Sequence, residues 1–276
     1  MYLKKIIKKK IFKLISSISN KLNYKTYLIG GYVRNYFLKI NNSKDIDIVT
    51  TGDSEKLAKF FLKKKKKSKL FIFKRYKTAI VKYKKYNIEF VSTRKEYYNI
   101  YDNKPYVILL NSIKKDQKRR DFTINSIAIS LNNKNLGKII DTFSGIKDIK
   151  KKIIKTPINP NITFKDDPLR MIRAIRFVSQ FKFKISIKSI KAIKKHRNRI
   201  RIISIERIIQ EFNKILLTSK PSIGLKLMYN FGFLYFLLPE FIELKFNKKY
   251  NNFSYKNNFK HTLKVLDKLS KKTQNL

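Results

Sequence analysis

The chain has 276 residues, 43% of them hydrophobic, enough for one large core or for two or three smaller folded units. It carries 66 Lys and Arg residues against 18 Asp and Glu residues, and this net charge of +48 favours a polyanionic partner such as nucleic acid. Cys is absent and only two His occur, which excludes disulfides, thiolate zinc sites and cysteine nucleophiles and argues against a histidine-rich metal site.

The hydropathy pattern predicts a protein that does not cross a membrane. The longest apolar segment, residues 231–241, is shorter than the roughly 18 residues that a membrane span needs, and Pro239 interrupts it. Lysines break up any signal-peptide core at the N-terminus. We therefore expect a cytoplasmic protein with no membrane partner. The sequence does not predict the oligomeric state.

The first half of the chain predicts a mixed α/β (α+β) domain. Apolar residues near the N-terminus follow a helical period and predict an amphipathic helix that packs on this domain; they are Ile7, Ile11, Leu14, Ile18 and Leu22. Segments rich in Ile, Val, Phe and Tyr predict short strands, with helices between them. The strands are predicted at residues 26–31, 45–49, 68–73, 78–83 and 86–92, and the helices near 33–40 and 54–63.

From Asp166 onward helical periods replace the strand signals, so the second half is predicted to be helical. The predicted helical segments are residues 167–181, 186–196, 204–218 and 221–238. Two prolines and several asparagines in residues 156–164 mark a linker between the two halves.

Two aspartates lie in a strand that is otherwise apolar. Alternate side chains of a strand face opposite sides, so Asp45 and Asp47 project together while Ile46 and Ile48 enter the core. Paired carboxylates repel unless a cation neutralises them, and oxygen ligands without His or Cys select Mg²⁺ or Mn²⁺. Glu89, alone in another apolar strand, can supply a third carboxylate. The alternative is that these are surface acids on a half-exposed sheet, as an arbitrary Asp-x-Asp more often is.

The stretch just before the aspartates favours the metal interpretation. Gly30 and Gly31 end a strand and open a helix, which lets backbone N–H groups approach phosphate oxygens, and Arg34 adds a charged fork on the first helical turn. A Gly-Gly pair alone is often only a tight turn. Followed by Val-Arg and then by Asp-x-Asp, it predicts a triphosphate held opposite a metal ion.

Five motifs in order resemble those of one enzyme family. They are GGYVRN…DIDIV (30–49), RRDFTINSIAIS (119–130), DTFSGIKDI (141–149), DDPLRMIRAIRF (166–177) and ERIIQEFNKIL (206–216). The chain resembles the class II nucleotidyltransferases of the DNA polymerase beta superfamily, which include CCA-adding tRNA nucleotidyltransferases and poly(A) polymerases. The resemblance implies a polymerase-beta-like catalytic head (1–145), an all-α nucleotide-reading neck (146–220) and a shortened RNA-binding helical body (221–276).

The fourth motif also has a chemical interpretation. Asp167 and Arg170 lie three apart on one helical face and offer a carboxylate acceptor beside guanidinium donors. Adenine and cytosine both present an amino donor next to a ring-nitrogen acceptor, whereas guanine and uracil present the reverse order. Such a pair can therefore accept ATP and CTP and reject GTP and UTP without a template. The alternative is that Asp167, placed before Pro168, merely caps the helix.

The resemblance implies roles for further residues. Arg173 and Arg176 would contact the incoming nucleotide or the primer end, with a solvated basic helix face as the alternative. Arg119 and Arg120 would meet phosphates, and Asp121 and Asn125 the ribose hydroxyls, although Asp121 alone is more often an N-cap. Arg94 would border the triphosphate, with a salt bridge to Glu96 as the competing interpretation. Two departures from the family pattern are Asn35 in place of Asp and Lys77 in place of Gly.

The sequence thus predicts a template-independent RNA nucleotidyltransferase. It would use Mg²⁺, CTP and ATP to add or repair the 3′-terminal CCA of tRNA and would release pyrophosphate. The primer hydroxyl would attack the α-phosphate in line, without a covalent intermediate. The alternatives are a poly(A) polymerase and a non-catalytic RNA-binding protein that has decayed from this family.

Overall fold

A computed structural model describes residues 3–40, 43–98, 105–244 and 258–273. The chain divides into two compact units, which we call the head and the helical unit. Of the described residues, the head comprises those within Met1–Tyr98, Lys104–Lys151 and Lys155–Ile158, and the helical unit comprises Lys152–Ile154 and those within Asn159–Leu276. The change from head to helical unit falls in the predicted linker. The division of the second half into a neck and a body stays a prediction.

The head contains nine strands and six helices in its described residues. The strands are β1 (Thr26–Ile29), β2 (Asp45–Thr50), β3 (Lys69–Phe73), β4 (Thr78–Tyr83), β5 (Tyr86–Ser92), β6 (Arg94–Tyr97), β7 (Tyr106–Leu109), β8 (Ala128–Ser130) and β9 (Ile139–Ile140). The helices are α1 (Lys4–Ile7), α2 (Lys10–Lys21), α3 (Gly31–Phe37), α4 (Ser54–Lys64), α5 (Ile113–Lys118) and α6 (Gly145–Lys151). All five predicted strands and both predicted helices are confirmed.

Seven strands form one mixed sheet in the order β3-β4-β5-β2-β1-β8-β9. Only β2 and β5 run parallel, because the chain crosses from one to the other through α4 and the β3–β4 hairpin. Helix α4 packs on β3, β4 and β5, and α2 packs on α4. The covered face of the sheet carries fully buried residues such as Ile46, Ile48 and Phe90. The other face carries Asp45, Asp47 and Glu89.

The predicted N-terminal amphipathic helix is two helices, α1 and α2. Ile7, Ile11 and Ile18 are buried as predicted, and Phe12 and Ile15 are fully buried as well. The apolar stripe therefore belongs to the core of the head. None of the helices in the described part of the chain combines the length and the apolar character that a membrane crossing requires.

The helical unit has eight helices and one pair of two-residue strands in the residues that the structure describes. The helices are α7 (Pro160–Asp166), α8 (Leu169–Phe181), α9 (Ile187–His196), α10 (Ile205–Leu216), α11 (Pro221–Asn230), α12 (Leu234–Leu237), α13 (Pro239–Glu243) and α14 (Asn258–Lys272), and the strands are β10 (Ile153–Ile154) and β11 (Lys184–Ile185). Helix α8 packs against α10 and α11, and α11 packs against α14. The predicted helical second half is confirmed.

The predicted helical segment 221–238 is broken in the middle. Gly232 has φ +81°, a left-handed conformation that glycine adopts without strain. The N–H of Gly232 donates to the carbonyl of Tyr229 (2.9 Å), and the N–H of Phe233 donates to that of Met228 (2.8 Å). This pattern satisfies the last carbonyls of α11 and ends that helix at Asn230.

Candidate active site

The three predicted carboxylates lie on one face of the sheet, on adjacent parallel strands. Asp47 of β2 is the direct neighbour of Glu89 of β5, and Asp45 is the neighbour of Asn87. The side-chain amide of Asn87 donates to Asp45 Oδ1 at 2.9 Å. Asp45 is exposed, whereas Asp47 and Glu89 are partly buried. The predicted alternation is confirmed, and strand pairing brings Glu89 next to Asp47.

The glycine turn lies directly against Asp47. Gly30 has φ +78°, and a Cβ atom at this position would lie 2.1 Å from Asp47 Oδ2, so only glycine fits there. The backbone N–H of Gly31 donates a hydrogen bond to the Asp47 carboxylate. Helix α3 begins at Gly31, as predicted. The turn therefore fixes the carboxylate of Asp47, one of the predicted metal ligands.

Burial, and to a smaller extent repulsion from a neighbouring carboxylate, raise the pKa of Asp47 and of Glu89. Burial raises the pKa of Asp47, and the positive charge of Arg120 offsets only part of that rise. Burial and then the charge of Asp47 raise the pKa of Glu89, against the opposing charges of Arg94 and Arg120. The arrangement thus concentrates negative charge that a cation would neutralise.

The chemistry of this donor set fits a hard divalent cation, because it consists of carboxylate oxygens on neighbouring strands. In the described residues no three His, Cys, Asp or Glu side chains meet as a ready-made metal cluster. Glu89 as a third ligand therefore stays a prediction beside Asp45 and Asp47.

Arg34 links the glycine turn to the predicted ribose-contacting residues. Its Nη1 donates to Asn125 Oδ1 at 2.6 Å, and Asn125 Nδ2 donates to Asp121 Oδ1 at 3.0 Å. Asp121 also accepts from the N–H of Phe122 at 2.7 Å. The short turn Thr123–Asn125 has Phe122 as its N-cap residue and no side-chain cap bond, so the N-cap alternative for Asp121 is not confirmed. Arg34, Asp121 and Asn125 are all buried. The structure thus brings together residues 91 positions apart.

Asn35, which stands where the resembled family has Asp, contacts Arg34. Its Oδ1 accepts from Arg34 Nε (3.1 Å) and Nη2 (2.9 Å), and its Nδ2 donates to Ser43 Oγ at 2.7 Å. The amide therefore orients Arg34 without a carboxylate. Lys77, in the glycine place, has φ 48° and ψ 47°, a left-handed conformation that is strained for a residue with a Cβ. The backbone there has kept the shape that a glycine would adopt freely.

Arg94, Arg119 and Arg120 belong to an ion-pair network. Arg94 Nη2 and Arg119 Nη1 each lie 2.8 Å from Glu96 Oε1. Arg119 Nε lies 2.8 Å from Asp116 Oδ1. The salt bridge that competed with the triphosphate interpretation of Arg94 is therefore present, and Arg119 is held by two carboxylates.

Arg120 is held more loosely than its two neighbours. Its Nε lies 3.6 Å from Asp116 Oδ2, too long for a hydrogen bond, and it is buried with no hydrogen-bond partner in the described residues. Its charge opposes the rise in the pKa of both Asp47 and Glu89. Of the two adjacent arginines, Arg120 thus has the longer contact with Asp116.

We expect Asp116→Ala to destabilise the head strongly. Asp116 is fully buried, and its loss leaves the two partly buried guanidinium groups of Arg119 and Arg120 without this counter-charge. Breaking a buried ion network in this way typically costs about 3 to 5 kcal/mol. Urea denaturation measures the effect, and Glu55→Ala, which removes an exposed pair with Lys59, is the control with little expected effect. Equal stabilities of the two variants would contradict this role of Asp116.

The predicted base-reading residues lie in the helical unit, at the start of α8. Asp167 Oδ1 accepts from the N–H of Leu169 at 3.2 Å, so it does cap this helix. Its Oδ2 accepts from Arg207 Nη2 of α10 at 3.1 Å. Asp167 and Arg170 are both buried. Asp167 therefore caps α8, as the alternative interpretation predicted. Its other carboxylate oxygen pairs with Arg207, a partner that sequence reasoning did not identify.

Arg173 and Arg176 share one carboxylate of α10. Arg173 Nη1 lies 3.4 Å from Glu211 Oε1, and Arg176 Nε lies 3.0 Å from Glu211 Oε2. Arg176 also lies over the ring of Phe177, 4.3 Å from its centroid. Sequence reasoning therefore missed Asp116, Arg207 and Glu211. The signal was available for two of them, because Arg207 and Glu211 stand in the fifth motif, four residues apart on one helix face.

Two family models match the chain. One, described as "Poly A polymerase head domain", matches residues 26–155, and the other, described as "Probable RNA and SrmB-binding site of polymerase A", matches residues 182–244. Together with the sheet and its carboxylates, these matches define a nucleotidyltransferase head of the poly(A) polymerase type.

The individual relatives that the chain resembles are CCA-adding enzymes. The CCA-adding enzyme of Ligilactobacillus salivarius (strain UCC118) is 34% identical over 219 residues, 79% of this chain and 52% of the relative. A CCA-adding enzyme solved as apo form II is 30% identical with a TM-score of 0.76, covering 99% of this chain and 70% of that one. The Thermotoga maritima CCA-adding enzyme complexed with tRNA_CCA is 28% identical with a TM-score of 0.75, covering 99% and 68%.

The chain belongs to the class II CCA-adding enzyme and poly(A) polymerase head family. It spans about half the length of the curated relatives that it matches. The predicted family and fold are confirmed.

Proposed function

We propose that the chain is a template-independent nucleotidyltransferase that adds or repairs the 3′-terminal CCA of tRNA in the cytoplasm. It would use CTP and ATP and release pyrophosphate. The observation that carries this proposal is the pair Asp45 and Asp47 on one sheet face, with Asp47 directly against the glycine turn. Relatives solved with ATP, with CTP and with tRNA_CCA support the choice of substrates.

In the head, Asp45 and Asp47 would hold Mg²⁺, with Glu89 as the predicted third ligand. When bound, the ion supplies neutralisation of the phosphate charge and lowers the pKa of a bound hydroxyl. Arg120, whose side chain keeps some exposure, would bind a phosphate oxygen through its guanidinium group. The O–H of the primer would then attack the α-phosphate and lose its proton, and the bond to pyrophosphate would break.

Nucleotide position in the head would depend on the Arg34 network. Asp121 and Asn125 present polar groups of the kind that bind ribose hydroxyls, and Arg34 fixes Asn125 from the glycine turn. Because these hydrogen bonds are already formed, little ordering would remain to be done when the substrate binds. Gly31 and Arg94 would contribute to the triphosphate end.

In the helical unit, Asp167 and Arg170 would select the base. A carboxylate accepts the exocyclic amino group that adenine and cytosine share, and a guanidinium donates to the adjacent ring nitrogen. Guanine and uracil present the opposite order and would leave buried groups unsatisfied. Arg173 and Arg176, fixed by Glu211, would contact the nucleotide or the primer end.

A second candidate is a poly(A) polymerase, because the model that matches residues 26–155 describes a poly A polymerase head. The two activities differ in the primer and in the use of CTP. One experiment separates them: the protein is incubated with Mg²⁺ and tRNAs that end before C, after C and after CC, with CTP, ATP or both.

Addition that completes CCA and then stops would support the first proposal. A long A tail on unrelated RNAs would replace it with the second. Salt-sensitive tRNA binding without incorporation from any primer would contradict both and favour a non-catalytic RNA-binding protein.

A further inference from the structure

Two phenylalanines are exposed on the sheet face that carries the catalytic carboxylates. Phe71 is 44% exposed and Phe73 is 45% exposed, and among the described residues they are the only phenylalanines with such exposure. The surface around them, which we call the aromatic face, consists of Lys69, Phe71, Phe73, Ile80 and Lys82.

Strand register places the aromatic face on the same side of the sheet as Glu89 and Asp47, two of the predicted metal ligands. Phe71 pairs with Ile80, Ile80 with Glu89, and Glu89 with Asp47, so their side chains share one side of the sheet. Three strand spacings of about 4.8 Å separate Phe71 from Asp47, a distance of about 14 Å. A stacked strand of nucleic acid rises about 3.4 Å per nucleotide, so four or five nucleotides bridge that distance.

The fold does not explain why these side chains are aromatic. The intervening residues Leu70 and Ile72 face the side on which α4 packs, where their cross-strand neighbours Val81 and Ala79 are fully buried, although Ile72 itself is still 37% exposed on this edge strand. Phe71 and Phe73 alternate with them and face away from that core. Neighbouring apolar side chains exposed together mark a binding surface more often than single ones do.

The charges around the aromatic face suit a polyanion. Lys82 Nζ lies 5.4 Å from the centroid of the Phe71 ring, and Lys69 pairs with Lys82 across the strands. The segment that leads into β3 carries the lysine run 63–67. Aromatic rings flanked by lysines are the combination that binds single-stranded nucleic acid, because bases stack on the rings while cations contact the phosphates.

We propose that Phe71 and Phe73 bind the single-stranded 3′ segment of the RNA primer by base stacking. This inference rests on the proposed function and adds a primer contact outside the five motifs. Strand β3 is also an edge strand, which a second copy of the chain could extend. Self-association is disfavoured by the net charge of +48, and RNA is favoured by the same charge.

The test measures RNA binding rather than incorporation, so that its outcome does not depend on catalysis. Fluorescence anisotropy compares a hairpin RNA carrying a four-nucleotide unpaired 3′ tail with the same hairpin ending flush. The variants are Phe71→Ala, Phe73→Ala, the double variant with both alanines, and Phe71→Trp, with Ile72→Ala as the matched control on the opposite face of the same strand. Thermal unfolding of each variant verifies that it folds.

We expect each alanine variant to bind the tailed RNA about tenfold more weakly while its affinity for the flush RNA is unchanged, since one stacking partner is lost. Phe71→Trp and Ile72→Ala should bind both RNAs as the unchanged chain does. Wild-type affinity of the double alanine variant, or an equal loss for both RNAs, would overturn the proposal. A change in oligomeric state without any change in RNA binding would overturn it too and assign β3 to a protein interface.

Discussion

Replacing Asp47 by alanine is expected to lower nucleotide incorporation by about a thousandfold or more, and Asp45→Ala should do the same. These are the two carboxylates of β2 that share a sheet face with Glu89. A metal ion at such a site contributes several kcal/mol of charge stabilisation that no other group would replace. RNA affinity should persist, because the lysines that attract the polyanion are untouched.

Single-turnover incorporation on a tRNA that lacks its terminal A measures this effect. Addition of Mg²⁺ should raise the unfolding midpoint of the unchanged chain and leave that of both variants unchanged, a readout independent of activity. Asp53→Ala is the matched control, because this carboxylate only caps α4 by accepting from the N–H groups of Glu55 and Lys56. Full incorporation by Asp47→Ala would refute the metal assignment.

Replacing Asp167 by serine is expected to relax nucleotide choice while leaving the helix intact. Two contacts of Asp167 use different oxygens: Oδ1 caps α8 at Leu169, and Oδ2 meets Arg207. A serine hydroxyl can keep the cap but cannot supply the second carboxylate oxygen. The preference for ATP and CTP over GTP and UTP should fall by about a hundredfold or more, because the discrimination comes from buried polar pairing.

The measurement is incorporation of each of the four nucleotides as kcat/KM on one primer. Arg170→Lys completes the test, since an ammonium keeps the charge but loses the planar donor pair. Unchanged thermal stability together with a weaker preference for ATP and CTP would identify Asp167 as a base-reading residue. If Asp167→Ser keeps the nucleotide preference of the unchanged chain, Asp167 is only a helix cap.

The strands and the carboxylate pair were predictable because their signals are local. Alternation in β2 puts Ile46 and Ile48 in the core and Asp45 and Asp47 on the other face, whatever the rest of the chain does. The glycine turn was predictable in the same way. The close approach of Gly30 to Asp47 was not predictable. A Cβ atom at Gly30 would lie 2.1 Å from Asp47 Oδ2 only because β2 pairs with β1.

Most of the ion-pair partners were beyond such reasoning. Asp116 lies three residues before Arg119, so that pair is local. Glu96, the other carboxylate at Arg119, is 23 positions away and comes close because α5 packs beside β6. Glu211 and Arg207 pair with residues 35 to 40 positions earlier in the same way. Their partners could not be named from spacing on a single helix. The phosphate contact of Arg119 stays a prediction.

The sequence by itself determined the family, the order of strands and helices along the chain and the placement of Asp45 and Asp47 on one face of β2, because hydrophobic period, glycine placement and motif order are properties of consecutive residues. Tertiary structure alone decided which arginines are neutralised and which face of β3 is exposed. Those properties depend on distances between segments that are remote in sequence. The Phe71–Ile80–Glu89–Asp47 row exists only through three strand registers, and each register is set by burial of the opposite face.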